Sequence, residues 1–244
     1  MKKIGHLYLT LVFLILYIPI FYLIFYSFNQ AGDMNCFTGL TLEHYTTMFN
    51  DQRLMLILVE TFLLAFLSSL LATVIGTFGA ILIYQVKKKH QNTILSINNV
   101  LMVAPDVMIG ASFLILFTFI GFKLGMFSVL LSHIAFSIPI VVLMVLPSLK
   151  EMNDDMVHAA YDLGASYFQM LKEVMLPYLT PSIIAGYFMA FTYSLDDFAV
   201  TFFVTGNGFS TLSVEIYSRA RKGISLEINA LSTVVFLFSI LLVI

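Results

Sequence analysis

The chain has 244 residues, 60% apolar and only 11% charged, against about 25% charged in soluble domains, which excludes an ordinary water-soluble fold. A net charge of -2 excludes a broad basic surface for nucleic acid, and the lone Cys36 excludes an intramolecular disulfide. No Pro/Gly-rich linker or charged tail divides the chain, so residues 1–244 read as one integral membrane domain.

Six apolar segments follow in chain order: Leu7 to Phe28, Leu56 to Tyr84, Val100 to Ile120, Met126 to Pro147, Ser182 to Val204 and Ala230 to Ile244. Each reaches, or nearly reaches, the 20 or so helical residues that a bilayer core of about 30 Å requires. The first is longer than the core of a secretory signal and ends in Tyr26, Ser27, Phe28 and Asn29, so it reads as an uncleaved span. The second is long enough to tilt or protrude, and the sixth reads as a helix cut short where the sequence stops.

Lys2 and Lys3 precede the first segment, and Lys87, Lys88 and Lys89 follow the second. The positive-inside rule therefore puts the N-terminus in the cytoplasm. Segments 29–55, 121–125 and 205–229 are then external, and the loop from Ser148 to Pro181 is cytoplasmic. Arg219, Arg221 and Lys222 run against the rule and read as a contact for an external acidic partner. Gly121 and Gly125 flank Lys123 between two segments, which predicts a tight turn there and not a helix-packing motif.

Glu60, Asp106, Asp196 and Asp197 lie inside these segments, with no Lys or Arg in the same stretches. One Asp at the centre of a membrane helix costs about 2.5 to 3.5 kcal/mol on insertion scales. Neighbouring helices, backbone donors, water, protonation or a cationic substrate must offset it. Asp106 follows Pro105 and precedes Gly110, a pattern that predicts a helix broken at the carboxylate. It reads either as a cation-attracting group or as the cap of the helix half that follows.

Asp196 and Asp197 point about 100° apart on a helix, so one small ligand faces only one of them. Asp196 is assigned to the path and Asp197 to polar packing, with the reverse left open. Tyr193, one turn earlier, is a candidate to hold an ammonium or methylene chain beside Asp196, the alternative being a core or lipid-facing ring. Glu60 reads as an interfacial residue and His133 as a packing histidine. The five His lack metal-site spacing, so no metal ligand is assigned.

The loop "EMNDDMVHAAYDLGASYFQMLKEVMLP" predicts two short helices. Asp154 or Asp155 caps the first, which carries Met156, Ala159, Ala160 and Leu163, and Gly164 ends it with a positive φ. Ser166 caps the second, which carries Phe168, Leu171, Val174 and Met175 and stops before Pro177. The small residues Ala159 and Ala160 let a partner's groove approach closely.

This loop resembles the EAA loop of ABC importer permeases: E-A-A, three residues, G, nine residues, I-x-L-P. Ala159, Ala160, Gly164, Leu176 and Pro177 match at that spacing, while His158 replaces the Glu and Val174 the Ile. The segments "LYIPIFYLIFYSFN", "APDVMIGASFLILF", "SHIAFSIPIVVLMVLPSL" and "FTYSLDDFAVTFFVTG" extend the resemblance to spermidine/putrescine importer permeases of the PotC type. The resemblance implies an all-α, polytopic type I (MetI-like) permease fold with about six transmembrane helices, in a bacterial cytoplasmic membrane. It also implies a second permease subunit, two ATPase subunits and an external polyamine-binding protein.

His158, Ala159, Ala160, Gly164, Leu176 and Pro177 would then couple to the ATPase, and Asp106, Tyr193, Asp196 and Asp197 would line the substrate path. The chain has no G-x-x-x-x-G-K-[ST] loop, so ATP and Mg are expected on the partner ATPase and no cofactor or enzyme chemistry here. Two further functions fit the same acids: a permease for another small cation, and an ion- or proton-conducting membrane protein. The second has no use for the long docking loop.

Overall fold

The computed structural model describes residues 2–31, 34–223 and 226–243; Ile244 and the side chains of residues 2–4, 7 and 241–243, including Lys2 and Lys3, lie outside the described set. In chain order the helices are α1 (Lys2–Tyr26), α2 (Glu43–Asn50), α3 (Gln52–Gln85), α4 (Lys88–Val103), α5 (Asp106–Phe119) and α6 (Met126–Glu151). There follow α7 (Asp154–Asp162), α8 (Tyr167–Met170), a π turn (Leu171–Met175), α9 (Leu176–Asp196), α10 (Ala199–Val204), α11 (Leu212–Lys222) and α12 (Leu226–Val243). Among the described residues, four stretches are long and apolar enough to cross a membrane: Tyr8–Tyr26, Gln52–Gln85, Met126–Glu151 and Tyr167–Asp196. A fifth is counted if α4 and α5 form one broken span.

Several expected boundaries move. The segment from Val100 to Ile120 is bent by 102° between α4 and α5, because Ala104 is extended before Pro105 (φ -64°, ψ 137°) and a residue preceding proline avoids the helical region. The segment from Ser182 to Val204 breaks at Asp197–Phe198. The second loop helix does not stop before Pro177 but runs through the π turn into α9. Pro177 sits in the first turn of α9, where a missing N–H does not interrupt the helix. Asn153, and neither Asp154 nor Asp155, caps α7 by accepting from the Asp155 N–H at 3.0 Å. Gly164 (φ 82°) ends that helix as expected, and Gly121 (φ 68°) makes the tight turn between α5 and α6.

The described residues form two compact units, Met1–Leu58 with Glu215–Ile244, and Val59–Val214. In the first, α12 packs on α1 and α2, while the apolar side chains of α1 stand exposed, as lipid-facing residues do. Asp51 precedes α3 and accepts from the Leu54 N–H at 3.1 Å. Arg219 reaches Asp51 at 2.7 Å and Glu215 at 2.9 Å, and stands 3.6 Å from Glu227. Arg219, expected to meet an external partner, is thus engaged inside its own chain.

In the second unit α6 is the central helix, packed on α4, α5, α9 and α10. One apolar cluster joins Ala80 and Ile81 of α3, Val141, Val145 and Leu149 of α6, and Ala160, Met170, Leu171 and Met175 of the loop. The loop is therefore seated on the ends of the long helices. A second cluster joins Leu64, Ile109, Val129, Phe136, Val200 and Val204. Small residues permit the closest approaches. A Cβ on Gly110 would stand 2.8 Å from Phe203 Cδ2 and 3.0 Å from Val200 Cα.

Two predictions follow from this packing. Gly110→Val forces α10 off α5 and destabilises the protein by about 1 to 3 kcal/mol, the usual cost of overpacking. Gly79→Ala, whose Cβ meets nothing nearer than 3.8 Å, leaves the melting temperature unchanged within error or slightly raised. The hydrogen bond from Arg219 holds the Asp51 carboxyl below the ordinary carboxylate range. Burial of Arg219 opposes its charge, but Asp51 and Glu215 outweigh it and raise its pKa, so it stays charged throughout. A lowered native pKa contributes stability above the ordinary value and loses it as the pH falls through the lowered one. Asp51→Asn therefore lowers the melting temperature near neutral pH, and its difference from wild type begins to close as the pH falls through the ordinary carboxylate value of about 4 and is lost only below the lowered one.

Candidate functional site

The break between α9 and α10 opens a cavity of about 390 Å³ lined by Asp106, Thr192, Tyr193, Asp196, Asp197 and Phe198. All four residues expected on a substrate path are therefore brought together. Asp106 is the first residue of α5, where the positive end of the helix dipole favours a carboxylate. It does not cap α5 through its side chain. Its Oδ1 instead accepts from the Tyr193 hydroxyl at 2.9 Å, and the Tyr193 ring stands edge-on to Phe136 at 5.0 Å. Tyr193 thus holds an acid of another helix through its hydroxyl, while its side chain lines the cavity.

The two adjacent aspartates have different surroundings. Asp196, the last residue of α9, is exposed. Asp197 is turned inward, its side chain only 6% exposed. Its carboxylate accepts from the backbone N–H of Val200 (3.3 Å), the N–H of Thr201 (2.8 Å) and the Thr201 hydroxyl (2.7 Å). Behind it lies His133, wholly buried, with Nε2 2.8 Å from Thr201 Oγ1 and 3.5 Å from Asp197 Oδ2. Nδ1 lies 2.7 Å from Ser194 Oγ, which is 2.9 Å from Ser68 Oγ on α3. His133 is a satisfied packing histidine, as expected, but its partners include the site's own carboxylate.

The sequence reading missed Ser68, Ser194 and Thr201. Ser194, Asp197 and Thr201 recur at three- and four-residue spacing, the signal of one helix face. Glu60 is half-buried on α3, at the edge of a separate open groove shared with Lys123 and Asn207.

In the loop, His158 and Ala159 are exposed on α7 and Ala160 is buried against the core. A cavity of about 460 Å³ lies between α7 and the α8 segment, lined by Met156, Ala159, Leu163, Gln169, Glu173 and Val174. Leu163 is 90% exposed and Phe168 69%, so the loop presents apolar side chains outward. Leu176 and Pro177 open α9 and tie this surface to the helix that ends at Asp196.

A family model for the binding-protein-dependent transport system inner membrane component matches residues 72–244. The chain belongs to this family. It is similar to the spermidine/putrescine transport system permease protein PotC of Escherichia coli K12, at 36% identity over 97% of this chain and 90% of that protein. The PotC of Haemophilus influenzae is 32% identical over 97% of this chain and 92% of its own length. The putrescine transport system permease protein PotI of Escherichia coli K12 is 31% identical over 93% of this chain and 83% of its own length.

Among solved structures, a bacterial ABC transporter that imports alginate aligns with a TM-score of 0.76 over 99% of this chain and 91% of that one, at 16% identity. The MetNI methionine transporter aligns with a TM-score of 0.67 over 79% and 93%, at 19% identity. At that identity the likeness speaks for the fold, that of MetI-like importer permeases. The chain is an inner-membrane transport subunit and not an enzyme; ATP hydrolysis belongs to a separate subunit.

The inward turn of Asp197 predicts a difference in accessibility. In a Cys36→Ser background, Asp196→Cys reacts readily with a cationic, water-soluble thiol reagent, and faster than with an anionic one because Asp106 shares the cavity. Asp197→Cys reacts at least about tenfold more slowly, since reactive thiols must be partly exposed. Equal labelling rates would contradict this orientation.

Proposed function

We propose that this chain is one of two permease subunits of an ATP-driven importer that carries spermidine or putrescine, with the cavity at the α9–α10 break on the substrate's path. The observation that carries the reading is the pair of acids, Asp106 and Asp196, on one cavity with no Lys or Arg lining it. A polyamine is a flexible chain of ammonium groups and methylenes. The cavity offers carboxylates for the first and the side chains of Met189, Tyr193 and Phe198 for the second. The names of the relatives at 31 to 36% identity support the same substrate class.

Two ATPase subunits carrying ATP and Mg, a second permease and an external binding protein complete the assembly in this reading. One of the neighbouring alginate transporter structures contains a substrate-loaded periplasmic protein, which supports the last of these partners. The N-terminus is cytoplasmic. His158, Ala159, Ala160 and Gly164 form the docking face for the ATPase, and Leu176 and Pro177 lead from it into α9. ATP-driven closure of the ATPase pair moves the loop, and the loop moves the helices that surround the cavity.

The reading is tested by ATP-dependent uptake of radiolabelled spermidine and putrescine in reconstituted vesicles. Asp196→Asn lowers kcat/KM for uptake by about tenfold or more, the scale of losing one charge-assisted contact, while assembly and basal ATPase activity persist. Uptake unchanged by that substitution would remove Asp196 from the path. Ala159→Trp, by contrast, fills the loop's cavity and abolishes uptake by weakening ATPase association, measured by co-purification.

A further inference from the structure

Between Glu60 and Tyr84 the sequence of α3 holds no ionisable side chain, a rise of roughly 35 Å against a bilayer core of about 30 Å. Glu60 therefore stands at the edge of the hydrocarbon, at the level of the lipid headgroups. It borders an open groove of about 790 Å³ that it shares with Lys123, in the turn between α5 and α6, and Asn207, in the turn after α10. Helix α6 runs from this groove to the loop of α7 and α8, so groove and loop lie at opposite ends of the second unit.

The charges on the groove are of opposite sign, yet they do not pair with each other. Among the described residues neither Glu60 nor Lys123 makes a side-chain hydrogen bond or an ion pair. Lys123 repels a polycation and Glu60 repels an anion, so the two together suit a ligand that carries both signs. The rest of the lining is largely apolar and includes Phe122, Leu130 and Phe209. Phe127 and Leu131 also line the groove and stand exposed on α6, and Leu56 and Leu63 stand exposed on α3 one turn either side of Glu60. The groove therefore opens onto helix faces of the kind that meet acyl chains.

We propose that this groove binds the headgroup of one zwitterionic aminophospholipid, with the phosphate on Lys123, the ammonium on Glu60 and the acyl chains along the exposed faces of α3 and α6. Lys binds phosphate as a point charge, and an ethanolamine ammonium has three N–H donors for a carboxylate. A choline headgroup has the same charges and no N–H donor, so Glu60 distinguishes the two. The volume falls in the range of sites that enclose small ligands, and a lipid reaches the groove by lateral diffusion from the bilayer that already covers these faces. The site shares no lining residue with the cavity at the α9–α10 break, and the proposal does not depend on the polyamine reading.

The test uses the assembled transporter, reconstituted in vesicles of equal parts phosphatidylethanolamine and phosphatidylcholine, re-extracted in mild detergent and scored for retained lipid by mass spectrometry. Wild type retains phosphatidylethanolamine over phosphatidylcholine by at least about fivefold, the scale of one charge-assisted hydrogen bond. Glu60→Gln brings that ratio close to one. Lys123→Gln lowers the retention of both lipids, while Lys123→Arg, which keeps a phosphate donor, retains them as wild type does. Neither side chain has a partner in the chain, so the variants assemble with an unchanged melting temperature. A ratio indifferent to Glu60→Gln, or a lipid count indifferent to Lys123→Gln, overturns the proposal. So does a preference for phosphatidylglycerol when that anionic lipid is added, because Glu60 then has no role. A groove covered by a protein partner holds no lipid, gives the same indifference to both substitutions and overturns it equally.

Discussion

An unwound peptide in apolar surroundings must find partners for the N–H groups it exposes, and at Asp197–Phe198 the Asp197 carboxylate provides them. Without that contact α10, only six residues long, would lack acceptors for its first turn. With it, Val200 and Val204 stay buried, Gly110 lets α5 lie against them, and Ser128 Oγ reaches the Val204 carbonyl at 2.7 Å. The cavity exists because α9 ends at Asp196 and does not continue. A cavity lined by carboxylates is thereby built from a fault in one helix whose cost is met locally.

The second fault, at Pro105, has a different origin and a complementary effect. Proline pushes Ala104 into extended backbone and starts a new helix at Asp106. That start places a carboxylate at a helix N-terminus, where the macrodipole stabilises it, and the Tyr193 hydroxyl ties it to α9. Asp106 and Asp197 each sit beside the start of a short helix, and each has a hydroxyl donor. Asp196 has neither, which leaves it the most available of the three.

Much of this arrangement was legible in the residues, for reasons that differ from place to place. The apolar runs announce buried or lipid-facing helices, and Pro105 announces its own break. Gly164 and Ser166 mark the loop's turn because only certain residues suit those backbone positions. The break at Asp197 has no glycine or proline to announce it and is held by side chains of α6 and α10. Pro177 misled because a proline after a helical stretch ordinarily ends it, whereas here a π turn precedes it. The linkage from Asp197 to Ser68 spans helices far apart in sequence, and no local spacing carries that information.

The π turn at Leu171–Met175 lies within the helical stretch Tyr167–Asp196. A π turn accommodates one residue more than an α-helical turn, and one residue is about 100° of azimuth. Everything beyond it is therefore phased differently from an uninterrupted α-helix begun at Ser166. The compass bearing of Asp196 is set at the loop end of this rod, about 20 residues or roughly 30 Å of axial rise away. The π turn thus helps to set which way Asp196 faces, while the extended backbone at Asp197 and its bonds to Val200 and Thr201 turn the next carboxylate inward.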